Sequence, residues 1–549
     1  MAEKYINNEN RNLPFSKNDY FYLVFLIALG GIVRLYYHHN RPFVGDEVGT
    51  LIYMKESASF ILSHFSTWLS MNYFILLEKA LLWMAEDNRQ ILVLVPELAG
   101  ITTIPLTAIL AKMLASKKVA LISATLVTFN PYLISFSGII RSYSLLTALS
   151  LLAIILFFKW YKNRTSQNGI YASLVCYLLM LSHLNGAYTL AYIGFLFGLE
   201  LLYTLVNKSR ANLSTMLIPL SVSLILTIIS YMKIVADVLA VGVQWQDQPP
   251  TSIAYIPYVF SSYFGSGFYG WLSIILMTSA ILLTFRTQKP LLILMPYIVL
   301  PIILISIQGI SHFPWAYARF LILIVPICII FIAEGIEYFS LYLPINKNTI
   351  MTGITVMLIA SWLPGLEQGY RIKISEPWNQ IAAFIEGTPK GRTILSNSWV
   401  EELYLRPYFD DTSFIQSELS SYSEEQHKNA AGKNVYFVVT RANISSNYPV
   451  STFGDIQVII YPKTTYADQL ALIRTDLQNR VATREVSPDL TDVYRNLWVL
   501  NTKLNSDPWQ SFSYYDLYVQ CFQLTERQRY KPLSVQYWEL ESFGYNVKR

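Results

Sequence analysis

"MNYFILLEKALLWM", residues 71–84, is apolar and about 14 residues long, and it carries Glu78 and Lys79 near its middle. A helix that crosses a bilayer needs about 20 mostly apolar residues. This stretch therefore reads as an interfacial or re-entrant helix. The choice decides the fold, because every later loop changes sides if residues 71–84 cross. Eleven longer apolar runs read as spans, at about 20–38, 91–112, 118–137, 142–160, 170–187, 189–206, 213–234, 268–285, 290–308, 318–338 and 349–366. Place the N-terminus, with Lys4, Arg11 and Lys17, in the cytoplasm, and leave 71–84 uncrossed. The cytoplasmic loops then hold Lys112, Lys117 and Lys118, then Lys159, Lys162 and Arg164, then Lys208 and Arg210, then Arg286 and Lys289, and finally Lys347. Each of these loops is basic, as the positive-inside rule requires. A crossing at 71–84 would put them all outside. Residues 39–90 thus form one extracytoplasmic loop, and residues 367–549 lie on the same side.

Composition agrees with a polytopic membrane protein. The 549 residues are 53% hydrophobic and 14% charged, against about 25% charged in ordinary soluble domains. Lipid admits only helices or closed barrels, since each backbone polar group must find an internal partner. The runs are long and do not alternate, so they are helices. The net charge of +5 is modest, and no basic tract is interleaved with aromatics, so nucleic-acid binding is not expected. Three cysteines, Cys176, Cys328 and Cys521, imply neither a disulfide framework nor a cysteine zinc site. The first span has no small-residue cleavage pattern after it and reads as a retained anchor.

Beyond residue 366 the pattern changes. "RTILSNSWV" (392–400), "KNVYFVVT" (433–440), "DIQVIIYP" (455–462) and "NLWVLN" (496–501) are strand-like, and "YADQLALIRTDLQNRV" (466–481) is an amphipathic helical stretch. Strands mixed with helix suggest an extracytoplasmic α/β domain over 367–549, after a membrane module over 1–366. No glycine-rich phosphate loop opens a helix there, so no nucleotide site is expected.

Two adjacent acids, Asp46 and Glu47, follow the first span in "RPFVGDEVGT" (41–50). Asp46 after Gly45 serves equally well as a helix N-cap, with Glu47 favouring the first-turn dipole. Functionally, one acid would face a substrate and the other would orient it or bind a cation. Cations collect at outer helix ends: Arg34 in the first span, Arg141 in "FSGIIRSYSLL", Arg319 in "FPWAYARFLILIVP", and Lys79 on the short helix. Such residues either snorkel to headgroups or, facing a bundle, are functional. For Lys79 snorkelling is the stronger reading. Arginine suits bidentate phosphate contacts. His183 sits in the turn "LSHLNGAY" and reads first as a hydrogen-bonded turn histidine and second as a ligand-facing one; with His312, in the loop before Arg319, and Arg34 it could line a substrate cavity. No zinc spacing such as HExxH occurs, and a divalent ion, if there is one, would sit at Asp46. The aromatic stretch 243–271 reads as a lid or as an interfacial belt.

The Asp-Glu pair after the first span, the long outer loop, and "NPYLISFSGIIRSYSLL" (130–146) together resemble the GT-C type membrane glycosyltransferases. Within these they are similar to the protein O-mannosyltransferase and lipid A aminoarabinose transferase group (glycosyltransferase family 39-like). "SHLNG" resembles that group's histidine turn, and "YARFLILIVPICIIFIAEGIE" (317–337) its arginine-bearing late span. The resemblance covers about 20–340. It implies an α-helical GT-C-like bundle, about eleven spans here, with interfacial helices in the first outer loop. It also implies transfer of a sugar from a polyprenyl-phosphate donor to an acceptor hydroxyl on the outer face, with inversion. The acceptor class is open: a lipid, a glycan or a protein. Asp46 takes the place of the general base, Glu47 supports it, and Arg141, Arg319 and Lys79 face the lipid phosphate. The implied setting is a bacterial inner or plasma membrane, and the lipid-linked sugar is substrate, not cofactor. A lipid or glycan transporter, or a non-catalytic anchor for the C-terminal domain, would explain the hydropathy but not this placement of charge.

Overall fold

The computed structural model describes residues 15–38, 47, 50, 51, 53, 54, 56–63, 71–85, 89–206, 255–308, 314–374, 380, 381, 384, 393–396, 435–440, 450–453 and 456–461. The expected span 213–234, the run 496–501, the stretch 466–481, Asp46 and His312 lie outside the described residues. The chain divides into two units, residues 1–41 with 50–372, and residues 42–49 with 373–549.

The first unit is helical. Besides the single helical turn Arg89–Leu92, its helices are α1 (Lys17–His38), α2 (Ala58–Ser63), α3 (Asn72–Ala85), α4 (Leu94–Leu114), α5 (Lys117–Phe129), α6 (Pro131–Ser137), α7 (Tyr143–Asn163) and α8 (Ser166–Ser182). They continue with α9 (Gly186–Val206), α10 (Tyr255–Phe264), α11 (Phe268–Arg286), α12 (Met295–Gln308), α13 (Pro314–Phe320), α14 (Val325–Tyr342) and α15 (Lys347–Ile374). Among the described residues, seven helices are long and apolar enough to cross a membrane. They are α1, α4, α7, most of α9, α11, α14 with the 3-10 turn before it, and most of α15. Helix α3 is 14 residues long, in keeping with its reading as a non-crossing helix. The protein is an integral membrane protein.

The apolar runs are interrupted where the sequence reading had single spans. Over 118–137 the chain bends by 57° between α5 and α6. Asn130 makes the bend: its side chain accepts the Leu133 N–H at 3.0 Å, and Pro131 follows in the first turn of α6. Proline fits there because that N–H has no intrahelical partner in any case. Over 318–338, α13 ends at Phe320, a 3-10 turn covers Ile322–Ile324, and α14 starts with Pro326 in its first turn. Proline inside a helix would remove a backbone hydrogen bond and clash with the preceding turn, so the break falls just before it. A 3-10 turn, Pro290–Leu294, also precedes α12.

Helix α14 runs through the core, with every residue from Val325 to Ile336 buried. It packs on α11 at Gly335, where an added Cβ would lie 2.3 Å from the Leu276 carbonyl oxygen. A small residue lets the two backbones meet, the usual device where lipid gives no hydrophobic drive to helix association.

At one end of the bundle, charges are paired. Lys117 meets Asp19 at 2.5 Å, Lys289 meets Glu334 at 2.6 Å, and Arg164 meets Glu200 at 2.5 Å. Ser116 Oγ donates to Glu337 at 2.8 Å. These cations come from the loops that the sequence placed in the cytoplasm.

Among the described residues of the second unit, four strands form one sheet in the order β1-β2-β4-β3: β1 (Thr393–Ser396), β2 (Val435–Thr440), β3 (Val450–Phe453) and β4 (Ile456–Tyr461). The first three strand-like runs of the sequence supply β1, β2 and β4, and β3 is additional. β1 pairs parallel to β2, with Ile394 opposite Tyr436. β2 and β3 both run antiparallel to β4. Only Gly454 and Asp455 separate β3 from β4, the length of the tightest hairpins.

The close approach at Gly335 gives a direct expectation. Gly335→Ala should lower stability by about 1–3 kcal/mol, the usual cost of overpacking. Gly353→Ala in α15, where nothing lies within 4 Å of the added Cβ, should be neutral or stabilising by about 0.5–1 kcal/mol. Thermal unfolding of the two variants in detergent checks this, and equal melting curves would remove the packing argument.

Candidate functional site

Three short breaks in helix bring the expected residues together. Arg141 lies in the turn between α6 and α7, His183 in the turn between α8 and α9, and Arg319 near the end of α13. The charges of both arginines reach the His183 ring. Arg141 Nη1 donates to Thr50 Oγ1 at a long 3.4 Å, and its charge also reaches Tyr53. The segment after the Asp-Glu pair thus returns to Arg141.

The turns are held by side chains. Asn185 Nδ2 donates to the Phe320 carbonyl at 3.3 Å and ties the histidine turn to the residue after Arg319. Tyr263 Oη donates to the Ala318 carbonyl at 2.8 Å, just before it. Asn130 Nδ2 donates to the Tyr263 carbonyl at 2.9 Å and joins α10 to the bend before α6. Rings continue the link, with Tyr263 against Tyr132 at 4.9 Å, Tyr132 against Phe136 at 4.7 Å, Phe136 against Tyr143 at 5.3 Å, and Tyr143 against His183 at 5.2 Å. Helix α10 comes from the aromatic stretch 243–271, whose part before residue 255 lies outside the described residues.

His183 is buried, at 6% exposure. Burial first, then the Arg141 and Arg319 charges, hold its pKa down at about 3. Both causes oppose a third positive charge. Its Nδ1 accepts the Asn185 backbone N–H at 3.0 Å, so in the neutral ring the proton belongs to Nε2. Two guanidinium groups and a neutral imidazole N–H therefore stand within electrostatic reach of one another. That is a donor set for an oxyanion such as phosphate.

The remaining predicted residues are placed as follows. Lys79 Nζ donates to the Met54 carbonyl at 2.9 Å, so α3 holds the segment that carries Thr50 and Tyr53. Arg34 is fully buried between helices. Its Nη1 donates to the Gly30 carbonyl at 3.1 Å and to Thr128 O at 3.5 Å, within reach of the buried Glu97 charge. A Cβ at Gly100 would lie 3.2 Å from Arg34 Nε and 2.5 Å from Ser137 Cβ. Arg34 thus lies in the helix packing. Glu47 is buried and falls in the second unit. No group of three or more His, Cys, Asp or Glu that could hold a metal occurs among the described residues. Thr50, Tyr53, Asn185 and Glu97 were not singled out in the sequence.

The fold has known counterparts. The chain is similar to ArnT from Cupriavidus metallidurans in the apo state, with TM-score 0.53, 11% identity, 81% of this chain covered and 98% of that one. It is also similar to ArnT from the same organism bound to undecaprenyl phosphate, with TM-score 0.51, 12% identity and the same coverage. At that identity the likeness is one of fold, and the fold is of the kind that the motif resemblance implied. No protein-family model matches the sequence, and no curated protein matches it.

The lowered pKa of His183 carries a sign. The unfolded chain binds a proton near pH 6.5 and the folded one near pH 3, so stability is full above 6.5 and falls as pH drops below it. Wild type should lose about 1.4 kcal/mol per pH unit in that window relative to His183→Gln. Parallel stability profiles for the two proteins, by unfolding at stepped pH, would contradict the buried neutral histidine.

Proposed function

We propose that the protein transfers a sugar from a polyprenyl-phosphate donor to an acceptor hydroxyl at the membrane surface. One observation carries this reading: Arg141, His183 and Arg319, distant in sequence, meet at one set of helix breaks. A fold shared with a protein whose crystal structure binds undecaprenyl phosphate supports it.

The chemistry follows from the residues. The acceptor hydroxyl is a weak nucleophile until a carboxylate takes its proton. Asp46 is that base, and it stands four residues before Thr50, the partner of Arg141. The hydroxyl oxygen bonds to the anomeric carbon from the face opposite the phosphate, the bond from carbon to phosphate oxygen breaks, and the configuration inverts. The electron pair leaves on the polyprenyl phosphate, whose negative charge grows in the transition state. Arg141 and Arg319 receive that charge, and the His183 Nε2–H adds a donor that stays neutral. Fixed donors act without the reorganisation that water would need. Glu47 orients the acceptor or supports the base, and Lys79 acts indirectly by holding the 50–54 segment. The topology that goes with this reading has about eleven spans, a cytoplasmic N-terminus and an extracytoplasmic α/β domain over 367–549, in a bacterial plasma membrane.

Purified protein reconstituted with polyprenyl-phosphate sugars tests the reaction. Asp46→Asn should lose about 10²–10⁴ in turnover, the usual range for a general base. Arg319→Gln should lose about 10²–10³, in line with loss of one charge-stabilising donor. Asp46→Asn turning over like wild type would remove the base assignment, and a wild type that neither turns over nor binds any such donor would remove the enzyme reading. A reporter fused after residue 366 should be active outside the cytoplasm, and cytoplasmic activity would overturn the topology.

A further inference from the structure

A cavity lies at the end of the bundle away from the Arg141 cluster. Its volume is about 620 Å³, within the range of about 300–1,000 Å³ usual for ligand pockets. Its walls include Phe157 and Tyr161 of α7, Leu196 and Leu199 of α9, Phe285 of α11, and Ile293 of the 3-10 turn before α12. Phe157 and Tyr161 fall in the last two turns of α7, whereas the site described above adjoins its first residue, Tyr143. At 1.5 Å per residue the two are about 20–27 Å apart along α7. The cavity is therefore not part of the Arg141 cluster.

Its lining says what it can hold. The walls are almost wholly aromatic and aliphatic, and they run into the exposed faces of Leu199, 51% exposed, and Phe285, 68% exposed. In a helix of this kind such faces meet lipid. The charged groups at the mouth are already matched. Glu200 takes Arg164 at 2.5 Å and the Tyr161 hydroxyl at 2.8 Å, and Lys289 is bound to the buried Glu334 at 2.6 Å. Glu200 and Lys289, the charged residues that line the cavity, are thus each held in an ion pair, and a headgroup that took either one would have to break a pair that is partly desolvated, which is costly.

We propose that this cavity binds one long hydrocarbon chain, the acyl chain of a phospholipid in the leaflet at the ion-paired end, without selecting its headgroup. The chain enters between α9 and α11 and lies against Phe157, Leu196 and Ile293, and the headgroup remains at the level of Arg164 and Lys289. The same hydrocarbon chemistry could come from the prenyl tail of a lipid-linked substrate, and the test separates the two sources.

The full chain is placed in nanodiscs that contain, in separate preparations, a phosphatidylcholine with a diazirine in its acyl chain, the matching phosphatidylglycerol, or a photoreactive polyprenyl phosphate. After irradiation, adducts are mapped by mass spectrometry. Adducts from both phospholipids should appear on residues 195–203 and 285–296 at roughly ten times the density on Tyr171 and Leu174, which are exposed on α8. The two phospholipids should label equally. Leu196→Trp, which fills the cavity, should bring labelling down to the Tyr171 level, with Ile293→Trp as the second variant if the first does not fold. The wild-type pattern decides even without either variant. Adducts no denser in the cavity than on Tyr171 and Leu174, labelling by polyprenyl phosphate alone, or a clear preference for phosphatidylglycerol would each overturn the proposal.

Discussion

A backbone that leaves the helix at a bilayer's edge must still find partners for its N–H and C=O groups, and in this protein the candidate site is built from the answers to that demand. Asn130 caps α6 with its oxygen and, with its amide, holds the Tyr263 carbonyl. Tyr263 passes its hydroxyl to Ala318. Asn185 gives its amide to Phe320. These contacts connect three interruptions of helix that are far apart in sequence. Arg141, His183 and Arg319 are each carried by one of those interruptions or sit beside one. Straight, uninterrupted spans would keep the three on separate helix ends with nothing to set their spacing.

The two ends of the bundle use positive charge in opposite ways. At one end Lys117, Arg164 and Lys289 are matched by Asp19, Glu200 and Glu334 at 2.5–2.6 Å. Those pairs lock helix ends together. At the other end two arginines share their surroundings with a histidine that burial and the arginines themselves keep neutral. A protonated histidine there would add a third like charge and make the empty site costly. A neutral one supplies a hydrogen bond at no such cost.

Much of this architecture was legible from hydropathy. The runs at 91–112 and 142–160 became α4 and α7, and the length of 71–84 alone set it apart from the crossing helices. The breaks were not legible, because averaging hydropathy over 118–137 hides one Asn-Pro pair in an otherwise apolar run. Pro326 was hidden in the same way. Of the site, each of Arg141, His183 and Arg319 could be named because an ionisable group at the end of an apolar span is costly and needs a reason. Their convergence could not, since it depends on Asn185 and Tyr263, whose bonds are to main-chain carbonyls and leave no pattern in the sequence. Arg34 shows the opposite case. The same rule of cost selected it, and its Nη1 donates to the Gly30 and Thr128 carbonyls beside Glu97, inside the helix packing.

That contrast refines the rule. An intramembrane cation is costly wherever it stands, so rarity alone cannot separate a ligand-binding arginine from a structural one. What separates them here is the kind of backbone around them. Arg34 lies within a regular helix, one turn after the carbonyl it binds, and glycines at 30 and 100 let neighbouring atoms close on it. Arg141 and Arg319 lie where helix has stopped or is about to stop, next to turns whose own polar groups are satisfied by asparagine and tyrosine. Breaks in helix braced by amide side chains, more than the presence of charge, therefore distinguish the setting of Arg141 and Arg319 from that of Arg34.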